Sequence, residues 1–267
     1  MATTVFRQPP LVEIVAEVRW DVPRGEVPHQ FANISIPVTD TGAHESQVLT
    51  FASKAGARGY GLAERLVPQG FPLLAHQAGV RYRSNTAGAP IFQLGPGVFT
   101  ANITPPYNSW SSFLPHLEIG VELLLESRAV SEKDRPFSEL RLTYFDAFGE
   151  KLTRGKAVTD FLAEDLGIRI ELPKVITGLC TDPTGVKPSF SVAVPIRAGT
   201  IELKISEGWV RGVPNLVMVT TVICKGPVQA IKETVLQAFN DAHAIIHESF
   251  FEMTTTLHEL MEPETLE

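Results

Sequence analysis

Alternation of apolar and polar residues with a period of two constrains this chain more than any other feature of its sequence. Between Leu11 and Trp20, Val12, Ile14, Ala16, Val18 and Trp20 alternate with Glu13, Glu17 and Arg19. Successive side chains of a strand point to opposite faces, so such a segment is a strand with one face in a core and the other charged. The period returns in Phe137–Phe148, where Leu140, Leu142 and Tyr144 alternate with Arg141, Thr143 and Phe145. One-sided strands suit antiparallel sheets that need cover on a single face. The expected class is therefore α+β, antiparallel sheets covered by helices.

Turn chemistry divides the rest. Gly95-Pro96-Gly97 lies between the apolar runs Ile91–Leu94 and Val98–Ile103. Proline fixes φ at the second turn position and glycine accepts positive φ at the third, so Ile91–Ile103 reads as a β-hairpin, halted by Thr104-Pro105-Pro106. Val80–Arg83 is a further short apolar run, and Ile168–Leu172, Phe190–Ile196, Thr200–Ser206 and Leu216–Cys224 are further expected strands. Arg197-Ala198-Gly199 suits a three-residue hairpin loop, and Pro214-Asn215 marks another reversal. His29–Ile36 is weakly patterned, and Ala52–Gly61 reads as a mobile loop.

Three segments carry helical spacing. In Tyr107–Arg128, Trp110, Phe113, Leu114, Leu117, Val121, Leu124 and Leu125 recur at three and four. Ser109 or Ser111 is placed to cap, and Pro115 is tolerated only in the first turn. Val158–Leu166 is a short helix ended at Gly167. From Pro227 to about Met261 one long helix is expected, a rod of about 50 Å with a break near Thr254-Thr255-Thr256 or a packing partner along it. Residues 1–150 and 151–267 thus form two α+β halves of similar element order, or one continuous domain. No matching residue pattern between them is evident.

Composition narrows function. Lys plus Arg is 23 and Asp plus Glu 30, a net charge of −7 that repels phosphate backbones and disfavours nucleic acid. Cys180 and Cys224 cannot frame a disulfide scaffold or a four-thiolate metal site. The N-terminus lacks a signal-peptide pattern and no run approaches the 18 or so apolar residues of a membrane span, so a soluble cytoplasmic chain without a membrane partner is expected. Phosphate-binding, dinucleotide-binding and serine-nucleophile motifs do not occur, so no catalytic residue and no cofactor are assigned.

Pro10-Leu11-Val12-Glu13-Ile14-Val15-Ala16-Glu17-Val18-Arg19, Phe92-Gln93-Leu94-Gly95 with Asn102, Pro106-Tyr107, Trp110 and Phe113, and Leu140-Arg141-Leu142-Thr143-Tyr144 together resemble a sporadically distributed prokaryotic family of proteins of unknown function. His243, His247, Phe250 and Thr254-Thr255 are similar to its last helix. The chain departs from the pattern in having Leu142-Thr143-Tyr144-Phe145-Asp146 where the family more often has Arg-Tyr and then Asn. The resemblance implies no established reaction. The family's patchy distribution implies mobile genes of the kind found at phage-defence and toxin–antitoxin loci.

Candidate residues follow. Asn102, Tyr107 and Trp110 are the first candidates: Tyr107 and Trp110, after the Pro-Pro stop, could form a rigid aromatic lip for a partner or a base, while Trp110 equally begins the apolar stripe of its helix. Lys54, Arg58, Arg65, Arg81 and Arg83 form the one basic region, with Glu64 its single acid. His243 and His247, one turn apart, could bind a metal, but Ala244 and Ile246 stand where zinc-protease motifs need glutamate, so no metal site is assigned. Glu13 and Glu17 share one strand face and read as its charged side. The expected role is a protein-binding regulatory or accessory component, contacting another protein encoded nearby through Tyr107, Trp110, Asn102, Arg58, Arg81 and Arg83. It could self-associate through the C-terminal helix. A small-ligand or nucleotide sensor using the basic 54–83 region is the second reading, and a metal-dependent hydrolase using Glu13, Glu17 and the helix histidines the third.

Overall fold

The computed structural model describes residues 3–22, 41–68, 71, 73–84, 90–105, 109–182 and 185–266. Tyr107 and the segment 29–36 lie outside them. The strands are β1 (Thr3–Phe6), β2 (Leu11–Arg19), β3 (Leu62–Arg65), β4 (Val80–Arg83), β5 (Ile91–Gly95), β6 (Val98–Ile103), β7 (Phe137–Phe148), β8 (Phe190–Ile196), β9 (Gly199–Val210), β10 (Val213–Val228) and β11 (Pro263–Leu266). The helices are α1 (Thr41–Ala57), α2 (Trp110–Ser127), α3 (Glu150–Thr153), α4 (Val158–Glu164), α5 (Lys174–Thr177), α6 (Lys232–Met253) and α7 (His258–Met261). Nine strands form one antiparallel sheet in the order β3-β4-β5-β6-β2-β7-β10-β9-β8, and β1 pairs with β11 separately. The fold is α+β.

The alternation does what its period requires. Ile14, Ala16, Val18 and Trp20 of β2, and Leu140, Leu142 and Tyr144 of β7, point into one core against α1, α2 and α6. The expected hairpin forms, with Leu94 paired to Phe99 and Gly97 at φ +73 in its turn. The helix over Tyr107–Arg128 begins at Trp110 after Ser109, with Pro115 in its second turn, beyond the first turn to which it was expected to be confined.

Other expectations are corrected. Residues 52–57 continue helix α1 where a loop was expected, because Val48, Phe51 and Ala55 form a buried face that meets Tyr82 and Phe92. Ile168–Leu172 is no strand. The β8–β9 loop holds only Arg197 and Ala198, since Ile196 pairs with Gly199. The later reversal falls at Arg211-Gly212, both at positive φ, as a two-residue hairpin turn needs. Pro227 lies in β10, which pairs with β7 as far as Val228, and α6 starts only at Lys232. The break near Thr254–Thr256 is present. It is fixed by Thr256 Oγ1, which donates to Asp165 Oδ1 at 3.2 Å.

The sheet repeats itself about the β2–β7 pair. Outward from the centre run β2, β6, β5, β4 on one side and β7, β10, β9, β8 on the other, and the hairpin strands of each side lead into a long helix, α2 or α6. Adding 122 to the buried positions Phe113, Leu117, Gly120 and Leu124 of α2 gives Val235, Phe239, Ala242 and Ile246, the buried positions of α6. The same step carries Glu17-Val18-Arg19 onto Glu139-Leu140-Arg141, the segments that pair at the centre of the sheet.

Gly120 sets how closely α2 approaches the sheet. A Cβ there would lie 2.7 Å from Phe92 Cε1 and 2.8 Å from Phe99 Cζ, both on fully buried rings. Packed rings yield little, and overpacking of this kind costs about 1–3 kcal/mol. Gly120→Ala is therefore expected to lose stability in that range and Gly120→Val more, by denaturant titration. Gly61→Ala, whose Cβ would meet nothing within 4 Å, serves as the control.

Candidate functional site

The sequence-selected residues fall on both faces of the sheet. On the face away from the helices, Asn102 Nδ2 donates to Glu13 Oε1 at 2.9 Å and Thr100 Oγ1 donates to Asn102 Oδ1 at 2.9 Å. At the centre of that face, Glu17, Arg19, Glu139 and Arg141 form a ring of ion pairs. Arg19 meets Glu17 at 2.6 Å and Glu139 at 3.8 Å, while Arg141 meets Glu17 at 3.8 Å and also pairs with Glu139. Arg81 and Arg83 both engage Glu64. Arg58 pairs with Glu122, Lys54 with Glu126 and Arg65 with Glu45. Every cation of the basic region is thus matched by a carboxylate. Asn102 and Trp110 stand on opposite faces of the sheet, and the lip expected of Tyr107 and Trp110 involves a residue outside the described ones.

On the helix face Trp110 joins an imidazole cluster. Its ring stacks on His243 at 4.6 Å and 9°, and its Nε1 donates to Asn240 Oδ1 at 2.8 Å. His243 Nδ1 shares a hydrogen bond of 2.7 Å with Tyr144 Oη. His247 lies 5.7 Å from His243 at a tilt of 57° and stacks on Phe251. Among the described residues no three His, Cys, Asp or Glu side chains are grouped to hold a metal ion. Burial, reinforced by the neighbouring His247, lowers the pKa of His243 to about 4, which leaves it neutral and weakly basic near pH 7. A general base works best with a pKa near the working pH, so this imidazole suits a structural strut between α2, α6 and β7.

Two residues along β7 from Tyr144, on the same face, sits Asp146, which the charge pattern did not single out. It lies between Leu11 of β2 and Met218 of β10, is buried, and accepts no hydrogen bond from a described residue. Desolvation raises its pKa to about 8.

The apolar surface concentrates at the other end of the sheet. After Ile168, which packs on the second core cluster, residues 169–182 are exposed throughout. Ile170, Leu172, Val175, Ile176 and Leu179 keep between 38% and 76% of their surface open. Leu172, Val175, Ile176 and Leu179 have the i, i+3, i+4, i+7 spacing of one helix face, with α5 as its formed turn. Ile168 and Leu172, with Ile170 between them, also alternate with charged residues, which is why they read as a strand. They have no strand to pair with among the described residues. Nearby, Trp209 is 76% exposed at the lip of a cleft of about 460 Å³ lined by Phe148, Phe161, Lys156, Lys187 and Glu207.

No family model matches the chain, and no curated protein matches it. Among solved structures it is similar to the di-domain ARO/CYC StfQ from the steffimycin biosynthetic pathway. The identity is 9%, with 81% of this chain and 96% of that chain covered, at a TM-score of 0.21. A likeness at that score carries no argument about fold or activity. No described helix is long and apolar enough to cross a membrane.

Asp146 and His243 give opposite pH slopes. Asp146 has a folded pKa above its unfolded value of 3.8, so its effect is neutral below about pH 4. It costs stability progressively up to pH 8, at about 1.4 kcal/mol per pH unit or less. His243 has a folded pKa below its unfolded 6.5, so its contribution is present above pH 6.5 and lost as pH falls toward 4. Asp146→Asn is expected to melt at a higher temperature than the parent chain at pH 8, with the gap closing by pH 4. An equal gap at both values would show that Asp146 is not held neutral.

Proposed function

We propose that this chain is a non-enzymatic protein-binding component, regulatory or accessory in kind, whose docking element is the apolar arm of residues 169–182. The observation that carries this reading is the open apolar set Leu172, Val175, Ile176 and Leu179 on and beside the single turn α5, with Val175 71% and Leu179 76% exposed. A single helical turn is marginal in water without tertiary contacts, and contiguous exposed apolar surface marks interaction sites. An amphipathic turn presenting such anchors is the form used for docking into a groove.

The polar clusters support binding over catalysis. Trp110, Asn240, His243 and Tyr144 hydrogen-bond or stack on one another and position no weakly held acid beside a strong base. The ion-paired state of Arg58, Arg81 and Arg83 gives a nucleotide-sensing reading no free cation to build on among those three.

The test places a photo-crosslinking benzoylphenylalanine at position 179 in cells of the source organism, with the same probe at Glu248 on the polar outer side of α6 as control. Irradiation is expected to join position 179, and not 248, to a protein. An arm that cross-links to nothing, in a chain that melts as the parent does, would count decisively against the proposal.

A further inference from the structure

The two halves of the sheet are covered unequally. In the first half α1 lies in the connection between β2 and the edge strands, packs beside α2, and seals β4 and β5. Phe51 meets Tyr82 at 4.7 Å, Tyr82 Oη donates to the Val48 carbonyl, and Tyr82 is wholly buried. In the second half the corresponding connection, between β7 and β8, contains α3, α4 and the exposed arm. Helix α6 packs on β10 and β7. On the helix face of the outer strands, Val194 of β8 is 45% exposed, and neither core cluster includes Val192 or Val194. A groove remains. Its floor is Val192 and Val194, beside Ile201 and Leu203, which pack on the two core clusters, and its wall is the flank of α6 that carries the exposed Asp241.

We infer that the arm of one copy of this chain docks as a helical turn into the α6–β8–β9 groove of a second copy, and that the exchange is reciprocal. The inference rests on the reading of the arm as a docking element and names its partner. The arm is the element that connectivity puts in the place of α1, and its stripe offers the apolar residues that such a groove lacks. It lies between two anchors, Ile168 packed on the second core cluster and the Lys187–Glu207 ion pair at 2.7 Å, with its apolar side chains 38% to 76% open to solvent.

Charge agrees with a second copy. Arg169 and Lys174 flank the stripe and form no ion pair among the described residues, and Asp241 on the groove wall forms none either. The five arm side chains and Val194 carry, over two copies, on the order of 1,000 Å² of open apolar surface. A specific interface buries roughly 1,200–2,000 Å², and this open surface lies just below that range.

The experiment uses the full chain, with light scattering and sedimentation over a dilution series. A dimer that dissociates on dilution is expected. Leu179→Glu in the arm and Val194→Glu in the groove should each weaken it by at least about 30-fold while leaving the melting curve of the fold unchanged. An equimolar mixture of the two variants should recover part of the lost affinity, because one arm and one groove are then intact in each mixed dimer. In Val194→Cys, oxidation should join the introduced thiol to native Cys180, exposed on the arm, between chains.

A monomer at every concentration, a dimer that neither variant weakens, or a disulfide between Cys180 and the introduced thiol confined within one chain would each overturn the exchange. If the probe at position 179 still captures another protein from a monomeric chain, the exchange fails and the binding reading stands. If it captures nothing and the chain is monomeric, both fail.

Discussion

The antiparallel pairing of β2 with β7 is the contact on which the rest of the molecule is built. It joins two half-sheets into one nine-stranded sheet, and it places Val18 opposite Leu140 at the centre of the core. On the other face the Glu17–Arg19 and Glu139–Arg141 pairs close into a ring. Half-buried ion pairs of this kind contribute little net stability, roughly 0–1 kcal/mol each. Their value is register. A slip of one residue would carry Glu17 and Arg19 into the core and Val18 out of it, so the hydrophobic and charged patterns enforce the same alignment. Since Glu17 faces Arg141 and Arg19 faces Glu139, the pair is complementary under exchange of its two strands, as an arrangement built from two similar units must be.

From that seam outward the halves diverge. The first half adds α1 and finishes as a closed two-layer unit. The second spends its long connection on α3 and α4, which join Phe148, Leu216, Met218, Leu257 and Met261 in a separate apolar cluster below the main core. Asp146 lies on β7 between Tyr144 of the main cluster and Phe148 of the other, where neither supplies it a donor among the described residues. Asp165, equally buried, is held instead by Arg154, Lys156 and Thr256. Two buried carboxylates therefore have opposite character in one half-domain. One is an ion-paired staple between α4 and the turn after α6, and the other is kept neutral by its surroundings.

Much of this order was legible in the sequence, and the exceptions have physical reasons. Strong period-two segments such as Leu11–Arg19 and Phe137–Phe148, and the Pro96-Gly97 turn, depend on local chemistry and came through. Helix α1 did not, because its Ala, Ser and Gly content weakens the apolar period, and only Val48, Phe51 and Ala55 mark the buried face. The repeat of 122 was hidden because each buried pair exchanges volume: Phe113 for Val235, Leu117 for Phe239, Gly120 for Ala242, Leu124 for Ile246. Position is kept while identity is lost, and only the packed structure exposes the correspondence. Of the selected site residues, Trp110 was readable as the start of an apolar stripe. Nothing in the sequence indicated that Asn102 and Trp110 would face opposite ways, since that depends on the strand-to-helix connection between them.

The arm shows how local pattern and tertiary context can part. Ile168, Ile170 and Leu172 alternate with Arg169 and Glu171 as a strand would, while Leu172, Val175, Ile176 and Leu179 fit a helix. In a closed fold one of these patterns would be claimed by a neighbouring strand or a helix-covered face. Here neither is, and the four side chains keep 43% to 76% of their surface in water, which forgoes a part of the about 1.5–3 kcal/mol that full burial of each would contribute. A sequence that seats Tyr82 under α1 without residual exposure, and that pairs every cation of its basic region, does not lack the means to cover such a stripe. The simplest physical account is that the stripe is covered in the assembled state, by a surface with apolar residues and an acidic flank. The groove beside Asp241 in a second copy has both.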